Sequence, residues 1–593
     1  MVNNYLNSIK EYVLTNSKTI FIVLICLFAL LRIYLGANLN IWFFVNSPHD
    51  DLLMLAYSNI PKYFNEWNIL TLSKTISYPL FLFFVNFTGI SYKLWLSILC
   101  LISGFLVMYA INKYITKNKV ILILAFIFIL FQPFNFEITT SARIYRNAIL
   151  MPCTIIFLTT LYILINQLIS KEFNTIKTIF WGIIVGLTFT FTFYIKEDGI
   201  MLLPILAVSL LVILLFKIYR LIKENKQNGK KFFSKPNMQK LIKIIIICII
   251  PLLLFSAMTI GLKEVNNHYF GVSEINTRTD GEIGDFWKNL LKIDDPNKTI
   301  EVWVPTSTYE KAWNASPTLQ SRPDLLGELL NSSWSQGNHT KTPAKGDHPS
   351  WALRDALYIV GLFDSEKTAN DFFFKVNNEL DQAFENGTLE KSDKIFITSS
   401  ATGKSVDELS QMIPYITWGL KTNLFYENIG YEIGPIPAST NTVADAQTEY
   451  GELVLNDNFI IATNNPDTVE FKEKIPTAII NTDILLYHTI SYILVALSLI
   501  GFVGLGIHQI KNKFKNRTLT ALVGFQLLLL GTFIVQIIGI AWFSSWIELD
   551  ISGIMKFYTA SSQGVFSLFE ILSICGLIYL VINKKTLKGK LKN

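Results

Sequence analysis

Stretches of about twenty mostly apolar residues, long enough to cross a ~30 Å hydrocarbon core as helices, recur along this chain. They fall at 19–36, 93–112, 120–136, 147–168, 178–195, 199–216, 243–262, 479–507, 518–541 and 562–583. The pattern predicts about ten transmembrane helices, seven before a long polar block at 263–478 and three after it. One further apolar stretch, Tyr78 to Phe87, is only half a span and is expected to be interfacial or re-entrant. Inside the polar block the repeat is that of amphipathic helices. Helices are expected at 349–364 and 365–386, the second with Ala369, Phe372, Phe373, Val376, Leu380 and Ala383 on one face and Gly387 as its stop. Between the first two spans, Leu52 to Phe64 reads as another amphipathic helix, with Leu52, Leu55, Ala56 and Ile60 sharing a face.

Charge turns this pattern into a topology. Lys and Arg gather at alternate connections: Lys113 to Lys119, Lys171 to Lys177, Lys217 to Lys243, Lys511 to Arg517 and Lys584 to Lys592. By the positive-inside rule these face the cytoplasm. The connections 37–92, 137–146, 196–198, 263–478 and 542–561 then face out. Counting Tyr78–Phe87 as a crossing would invert this arrangement, which is why it is read as re-entrant. The expected fold class is an α-helical polytopic protein of the cell membrane with a mixed, mainly helical extracytoplasmic soluble domain and both termini cytoplasmic. Its parts are an N-terminal membrane module 1–262 with an outer loop at 37–92, the soluble domain 263–478, and a C-terminal membrane module 479–593.

Composition narrows the function. The chain is 51% hydrophobic and 16% charged, and its net charge of +6 hides a division. Residues 263–478 carry 32 acidic and 18 basic side chains, leaving 13 acidic and 33 basic elsewhere. Basic residues that flank spans in short clusters are not a nucleic-acid-binding face. All five cysteines lie in apolar stretches, so no disulfide framework or cysteine zinc site is on offer. His268, His339 and His348 lack zinc-site spacing, and no phosphate-cradling glycine loop or GxSxG nucleophile is present.

Acidic residues outside the soluble block are scarce enough to read singly. Two pairs stand at the outer membrane edge, Asp50-Asp51 after Ser47-Pro48-His49, and Glu197-Asp198 after Lys196. A helix cap or a dipole partner is the plain reading of each pair. The first outer loop adds Lys74 and Tyr78, and the loop before the 147–168 span adds Arg143, Tyr145 and Arg146. Outer arginines run against the positive-inside bias, which favours a bound anion over an anchoring role. Carboxylates for proton abstraction and cations for a phosphate would thus share one membrane face, a combination suited to transfer from a phosphate-linked donor. Two adjacent aspartates could also hold a hard divalent cation, Mg²⁺ or Mn²⁺, or work without one. In the soluble block, Trp351 and Arg354 lie one helical turn apart and could stack on and clamp a sugar; a buried contact from Arg354 is the alternative. Glu570 is an acid within the last span and a functional suspect without an assigned role.

The segments Pro48-His-Asp-Asp51, Leu70-Thr-Leu-Ser-Lys74 with Tyr78-Pro-Leu-Phe81, Arg143-Ile-Tyr-Arg146 and Lys196-Glu-Asp198 with Leu203-Pro204 resemble the GT-C superfamily of membrane glycosyltransferases. They are similar to bacterial members thought to build surface polysaccharides, and the resemblance covers roughly residues 1–210. It implies an inverting enzyme that moves a sugar from a polyprenyl-phosphate carrier to a cell-envelope glycan or lipid-linked acceptor. Asp50 would be the base, with Asp51 in support and Arg143, Arg146, Lys74 or Lys196 facing the departing phosphate. Two other classes fit the span count. A transporter or flippase of lipid-linked saccharide would place its charges near the midplane on interrupted, repeated halves, and no repeat is present. A non-catalytic scaffold would leave the acidic pair and the outer arginines without a use.

Overall fold

A computed structural model of the chain describes residues 17–43, 49–170, 172–227, 235–334, 344–398, 400–431, 442–457, 459–460 and 471–590. Ser47, Pro48, His339, Lys592 and the middle of the 217–243 basic run lie outside them. Among the described residues, nine helices are long and apolar enough to cross a membrane. In chain order the helices that matter are α1 (Ser17–Ala37), α2 (Asp51–Ser58), α3 (Ser77–Thr88), α4 (Tyr92–Tyr114), α5 (Lys119–Leu130), α6 (Asn147–Ile169), α7 (Thr175–Phe193), α8 (Leu203–Gln227) and α9 (Lys235–Phe270). The polar block contributes α10 (Gly281–Lys292), α11 (His348–Ile359), α12 (Glu366–Glu385) and α13 (Ile413–Phe425). After it come α14 (Phe471–Lys511), α15 (Arg517–Ser544), α16 (Ile551–Tyr558) and α17 (Ala560–Lys590). The nine are α1, α4, α6, α7, α8 with its leading 3-10 turn Glu197–Leu202, α9, α14, α15 and α17.

Two apolar helices are too short to span, α3 and α5. The first matches the half-span expected at Tyr78–Phe87. The second corrects the helix expected over 120–136, because the helix stops at Leu130 and only the short 3-10 turn Pro133–Asn135 follows. The chain nevertheless completes its passage alongside α1. Lys119 Nζ meets Ser17 Oγ at 3.0 Å, the rings of Phe131 and Phe28 are 6.2 Å apart, Arg32 lies 4.4 Å over Phe136, and Arg143 pairs through its backbone with Trp42. The two segments therefore run in the same direction over the same distance. Irregular backbone at that depth is tolerated only where protein covers it, and residues 129–137 are all buried.

Successive crossings alternate in direction, so the basic connections collect at one end of the bundle. Tyr114 packs on Tyr162 at 6.0 Å, Tyr162 on Phe525 at 5.2 Å, and Lys217 Nζ donates to the carbonyl of Ser170 at 2.7 Å. At the other end, Ser77 N–H bonds the Tyr194 carbonyl at 3.1 Å and Lys93 pairs with Asp457 at 3.1 Å. A short parallel sheet, β1 (Ile41–Trp42) with β2 (Phe459–Ile460), ties the first loop to the end of the polar block. At the centre stands α6, almost wholly buried. Helix α17 approaches it closely at Gly564, where a Cβ would come within 3.0 Å of the Met151 carbonyl; small residues allow such approach where lipid supplies no hydrophobic drive between helices.

The polar block has its own apolar core, with Phe286 stacked on Phe373 at 4.6 Å between α10 and α12. That core continues into Trp542 at the end of α15 and Trp546 just beyond it, so the block is seated on the membrane module. Helix α12 matches the expected 365–386 and stops before Gly387, whose φ of 80° favours glycine. Helix α11 ends at Ile359, short of the expected Asp364. The segment Leu52 to Phe64 is not one amphipathic helix. Asn59 breaks it and caps a second short helix, Ile60–Asn65, by accepting from Lys62 N–H at 3.2 Å. Leu53, Met54, Leu55 and Tyr57 are buried while Ala56 is exposed, because α2 is wedged in protein rather than lying on a surface.

Candidate active site

Four loops meet at the end of the bundle that carries the polar block. Asp50 occupies the N-cap position of α2, yet its side chain makes no capping hydrogen bond. Its Oδ1 lies 3.3 Å from Lys74 Nζ and its Oδ2 lies 3.9 Å from Arg143 Nη2. The side chain of Asp50 is 33% exposed and that of Asp51 is 0% exposed. Asp51 is clasped by Arg143, with Nη2 2.6 Å and Nε 2.8 Å from Oδ1, and Nε 3.0 Å from Oδ2. The two aspartates are adjacent in sequence and unlike in setting.

Arg143 is fixed through its backbone. Tyr78 and Tyr92 share a hydroxyl–hydroxyl bond of 2.8 Å, and Tyr92 donates to the Arg143 carbonyl at 2.9 Å. Tyr78, expected to contact substrate, is fully buried and instead heads this supporting chain. Arg146 donates through Nη1 to Glu197 Oε2 at 2.7 Å and through Nη2 to the Tyr145 hydroxyl at 2.9 Å. Its Nε is buried without an acceptor among the described residues. Lys196 Nζ donates to Asn147 Oδ1 at 3.2 Å and lies 4.8 Å from the centre of the Tyr558 ring. Asp198 accepts from Ser561 Oγ at 2.8 Å and stays close enough to Lys196 to act on its charge. Tyr145 forms the floor, with the Arg143 and Arg146 guanidiniums 5.0 and 5.2 Å from its ring centre and Phe557 stacked on it at 5.4 Å.

The polar block closes the site from the other side. Trp351 carries Lys74 Nζ at 5.2 Å and the Arg278 guanidinium at 4.7 Å. Arg354 does not reach the site and needs correction as a sugar clamp. It is fully buried, donating to the carbonyls of Ile69 and Thr71 at 2.7 Å each, to Thr277 Oγ1 at 2.9 Å and to Glu366 Oε1 at 2.9 Å. Those bonds pin the loop carrying Lys74 to α11 and leave the guanidinium no face for a ligand.

The charges are strongly coupled. Burial alone would raise the Asp50 carboxyl, but Lys74, Arg143 and Arg146 outweigh it and hold the group well below the usual carboxylate range. Burial, with Arg146 repelling it, brings the Lys74 ammonium down to about 8. Burial brings Lys196 to about 8 as well, with Arg146 repelling it and Asp198 opposing the shift. A divalent cation finds little here, because both oxygens of Asp51 are bound by Arg143 and Asp50 already faces two cations. No cluster of three or more His, Cys, Asp or Glu side chains fit to hold a metal occurs among the described residues.

Arg278, Phe557 and Tyr558 were not foreseen from sequence. Helix α16 carried a readable signal, since Ile551, Ile554, Met555 and Tyr558 repeat at helical spacing in the connection 542–561. Comparison with protein-family models, curated proteins and solved structures returns no match to this chain.

Proposed function

We propose that the chain is a membrane glycosyltransferase that moves a sugar from a polyprenyl-phosphate-linked donor to a glycan or lipid-linked acceptor of the cell envelope, with inversion at the transferred carbon. The observation that carries this reading is the meeting of a part-exposed carboxylate, Asp50, with Lys74, Arg143, Arg146 and Lys196 at the end of an apolar bundle. Asp50 takes the proton of the attacking hydroxyl. The cations receive the charge that develops on the departing lipid phosphate, where preorganised donors in a dry site act strongly. Arg146, with an unsatisfied Nε beside its bond to Glu197, suits a phosphate oxygen.

A carboxylate held so far below its ordinary range is a weak base in the resting site. An incoming phosphate changes that, because it draws the field of Lys74, Arg143 and Arg146 and so raises the proton affinity of Asp50. Base strength then appears when the donor is bound. A double displacement would need a second carboxylate able to reach the donor carbon, and the salt bridges of Asp51 to Arg143 and of Glu197 to Arg146 favour single displacement, hence inversion. The alternation of basic ends suits a site on the outer face of the cell membrane, where donors are lipid-linked.

The test is transfer of labelled sugar from a pool of polyprenyl-phosphate-linked donors to envelope acceptor by the purified full chain. Wild type transfers and Asp50→Asn loses about 10²- to 10⁴-fold in rate, the usual worth of a general base. Full activity in Asp50→Asn would remove the catalytic assignment. Movement of lipid-linked saccharide between leaflets without any transfer would replace it with the transporter reading.

A further inference from the structure

Helix α13 differs from the acidic block around it. Its sequence, Ile-Pro-Tyr-Ile-Thr-Trp-Gly-Leu-Lys-Thr-Asn-Leu-Phe, contains no acidic residue and a single cation, Lys421. Ile413, Pro414, Thr417 and Lys421 are exposed and Trp418 is half-buried, so one stripe along the helix is without cover among the described residues. The Lys421 ammonium lies 5.0 Å from the centre of the Trp418 ring. The opposite face is held by protein. Tyr415 donates to the Ile547 carbonyl at 3.0 Å, and Asn423 Nδ2 donates to Thr559 Oγ1 at 2.8 Å.

Two neighbouring spans show how deep this helix lies. A straight crossing of the hydrocarbon takes about 20 residues at about 1.5 Å each. Counted from the basic connection Lys511 to Arg517, that puts the far boundary near Ser491 on α14 and near Ile537 on α15. Helix α13 meets both levels. The Phe425 ring stacks on Tyr492 at 4.5 Å, and a Cβ at Gly419 would come within 3.4 Å of Ile537. A tilted span needs more residues to cross, which moves α13 deeper and not shallower. The surface beside Phe425 is apolar and open, with Tyr492 and Ile493 of α14 53% and 62% exposed.

We infer that α13 is an interfacial helix whose uncovered stripe, Ile413, Thr417, Trp418 and Lys421, rests in the lipid headgroup region of the leaflet on the polar-block side. Tryptophan and lysine suit that zone. An indole sits between hydrocarbon and water, and a lysine stem lies along apolar surface while its ammonium stays among lipid phosphates. The absence of carboxylates from α13 fits the same partner, because phosphates would repel them. The contact also reaches toward the site. Asn423 holds Thr559, the residue after Tyr558, and a Cβ at Gly419 would lie 2.9 Å from Met555 Cε, so α13 carries α16, whose Tyr558 ring faces Lys196. An anchored α13 then sets the height of the Lys196 wall above the lipid. That last step bears on a lipid-linked donor and rests on the glycosyltransferase reading, whereas the membrane contact does not.

The experiment is spin-label accessibility on the full chain in nanodiscs, in a Cys26→Ser background because Cys26 is exposed and the other cysteines are buried. Nitroxides are attached at Thr417→Cys, at Ile493→Cys as the lipid-facing reference and at Thr388→Cys as the water-facing one. Molecular oxygen concentrates in lipid and a neutral nickel chelate in water. The ratio of oxygen to nickel-chelate collisions at Thr417→Cys is expected to rise above that at Thr388→Cys and to approach that at Ile493→Cys. A ratio equal to that at Thr388→Cys overturns the contact by showing the stripe in water. A label shielded from both reagents overturns it too, and spin–spin broadening between labels would then name a second copy as the cover. None of these readings uses sugar transfer, so loss of the transferase reading leaves the membrane contact standing, and loss of the contact leaves the transferase reading untouched.

Discussion

Arg143 holds both oxygens of Asp51 through its Nε, and the contact is sealed from solvent at the carboxylate. Breaking a buried ion pair from one side costs about 3–5 kcal/mol, because the remaining charge loses its compensation inside protein. Asp51→Asn should therefore lower stability by about that amount, read as a drop in unfolding temperature of the detergent-solubilised chain. Asp50→Asn should shift it less, since the Asp50 side chain is part-exposed and makes no cap bond, although Lys74 loses its carboxylate partner. The two neighbours thus separate into a stability phenotype and a rate phenotype. Equal unfolding temperatures for the two variants would show that Asp51 is not the structural member.

Arg146 keeps one donor without an acceptor among the described residues. Its Nη1 and Nη2 are engaged by Glu197 and Tyr145 while Nε is not. Lysine would keep the charge and lose the planar fork. Arg146→Lys should raise the KM for a polyprenyl-phosphate-linked donor about 10-fold, and Arg146→Ala should raise it further. An unchanged donor KM in both, at matched folding, would assign Arg146 to the support of Glu197 alone.

Two buried lysines set a pH limit on donor binding. Lys74 and Lys196 lose their protons near 8 in the folded chain, against ~10.4 in an unfolded one. The unfolded state therefore holds more protons between those values, and stability contributed by these groups rises with pH across that interval. Function runs the other way. Two of the four cations that receive phosphate lose their charge as pH passes 8, so the donor KM should climb between pH 7.5 and 9 while the chain stays folded. Lys74→Arg should move part of that rise to higher pH, because a guanidinium keeps its proton there. A donor KM flat to pH 9.5 would mean that neither ammonium meets the phosphate.

The parts of this site that show in the sequence are charges set against an apolar background. Asp50, Asp51, Lys74, Arg143, Arg146, Lys196 and Glu197 could each be noticed because membrane-edge charge is rare, and the fold brings all seven together. Their roles were less visible. Whether Asp50 or Asp51 is sealed depends on which one Arg143 reaches across 92 residues of chain. Arg354 looked like a partner of Trp351 from its position one turn away, but carbonyls of Ile69 and Thr71, more than 280 residues distant, capture it. The helix boundary at Leu130 was equally hidden, because apolar composition marks membrane depth and not backbone conformation when protein covers the chain.

Orientation is the last point open to a direct test, and much depends on it. The basic connections and the polar block lie at opposite ends of the bundle, so labelling one end decides both. Thr388 and Lys177 are exposed at the two ends. Of the native cysteines, Cys100, Cys153, Cys248 and Cys575 are buried and Cys26 lies within α1. Thr388→Cys should react with a membrane-impermeant maleimide on intact spheroplasts, and Lys177→Cys should react only after permeabilisation. That outcome places Asp50 outside the cytoplasm, where soluble nucleotide sugars are absent and a lipid carrier must deliver the sugar. The reverse labelling pattern would turn the site inward, and with it the argument for a polyprenyl-phosphate donor would lose its premise, even if Asp50 remained the base.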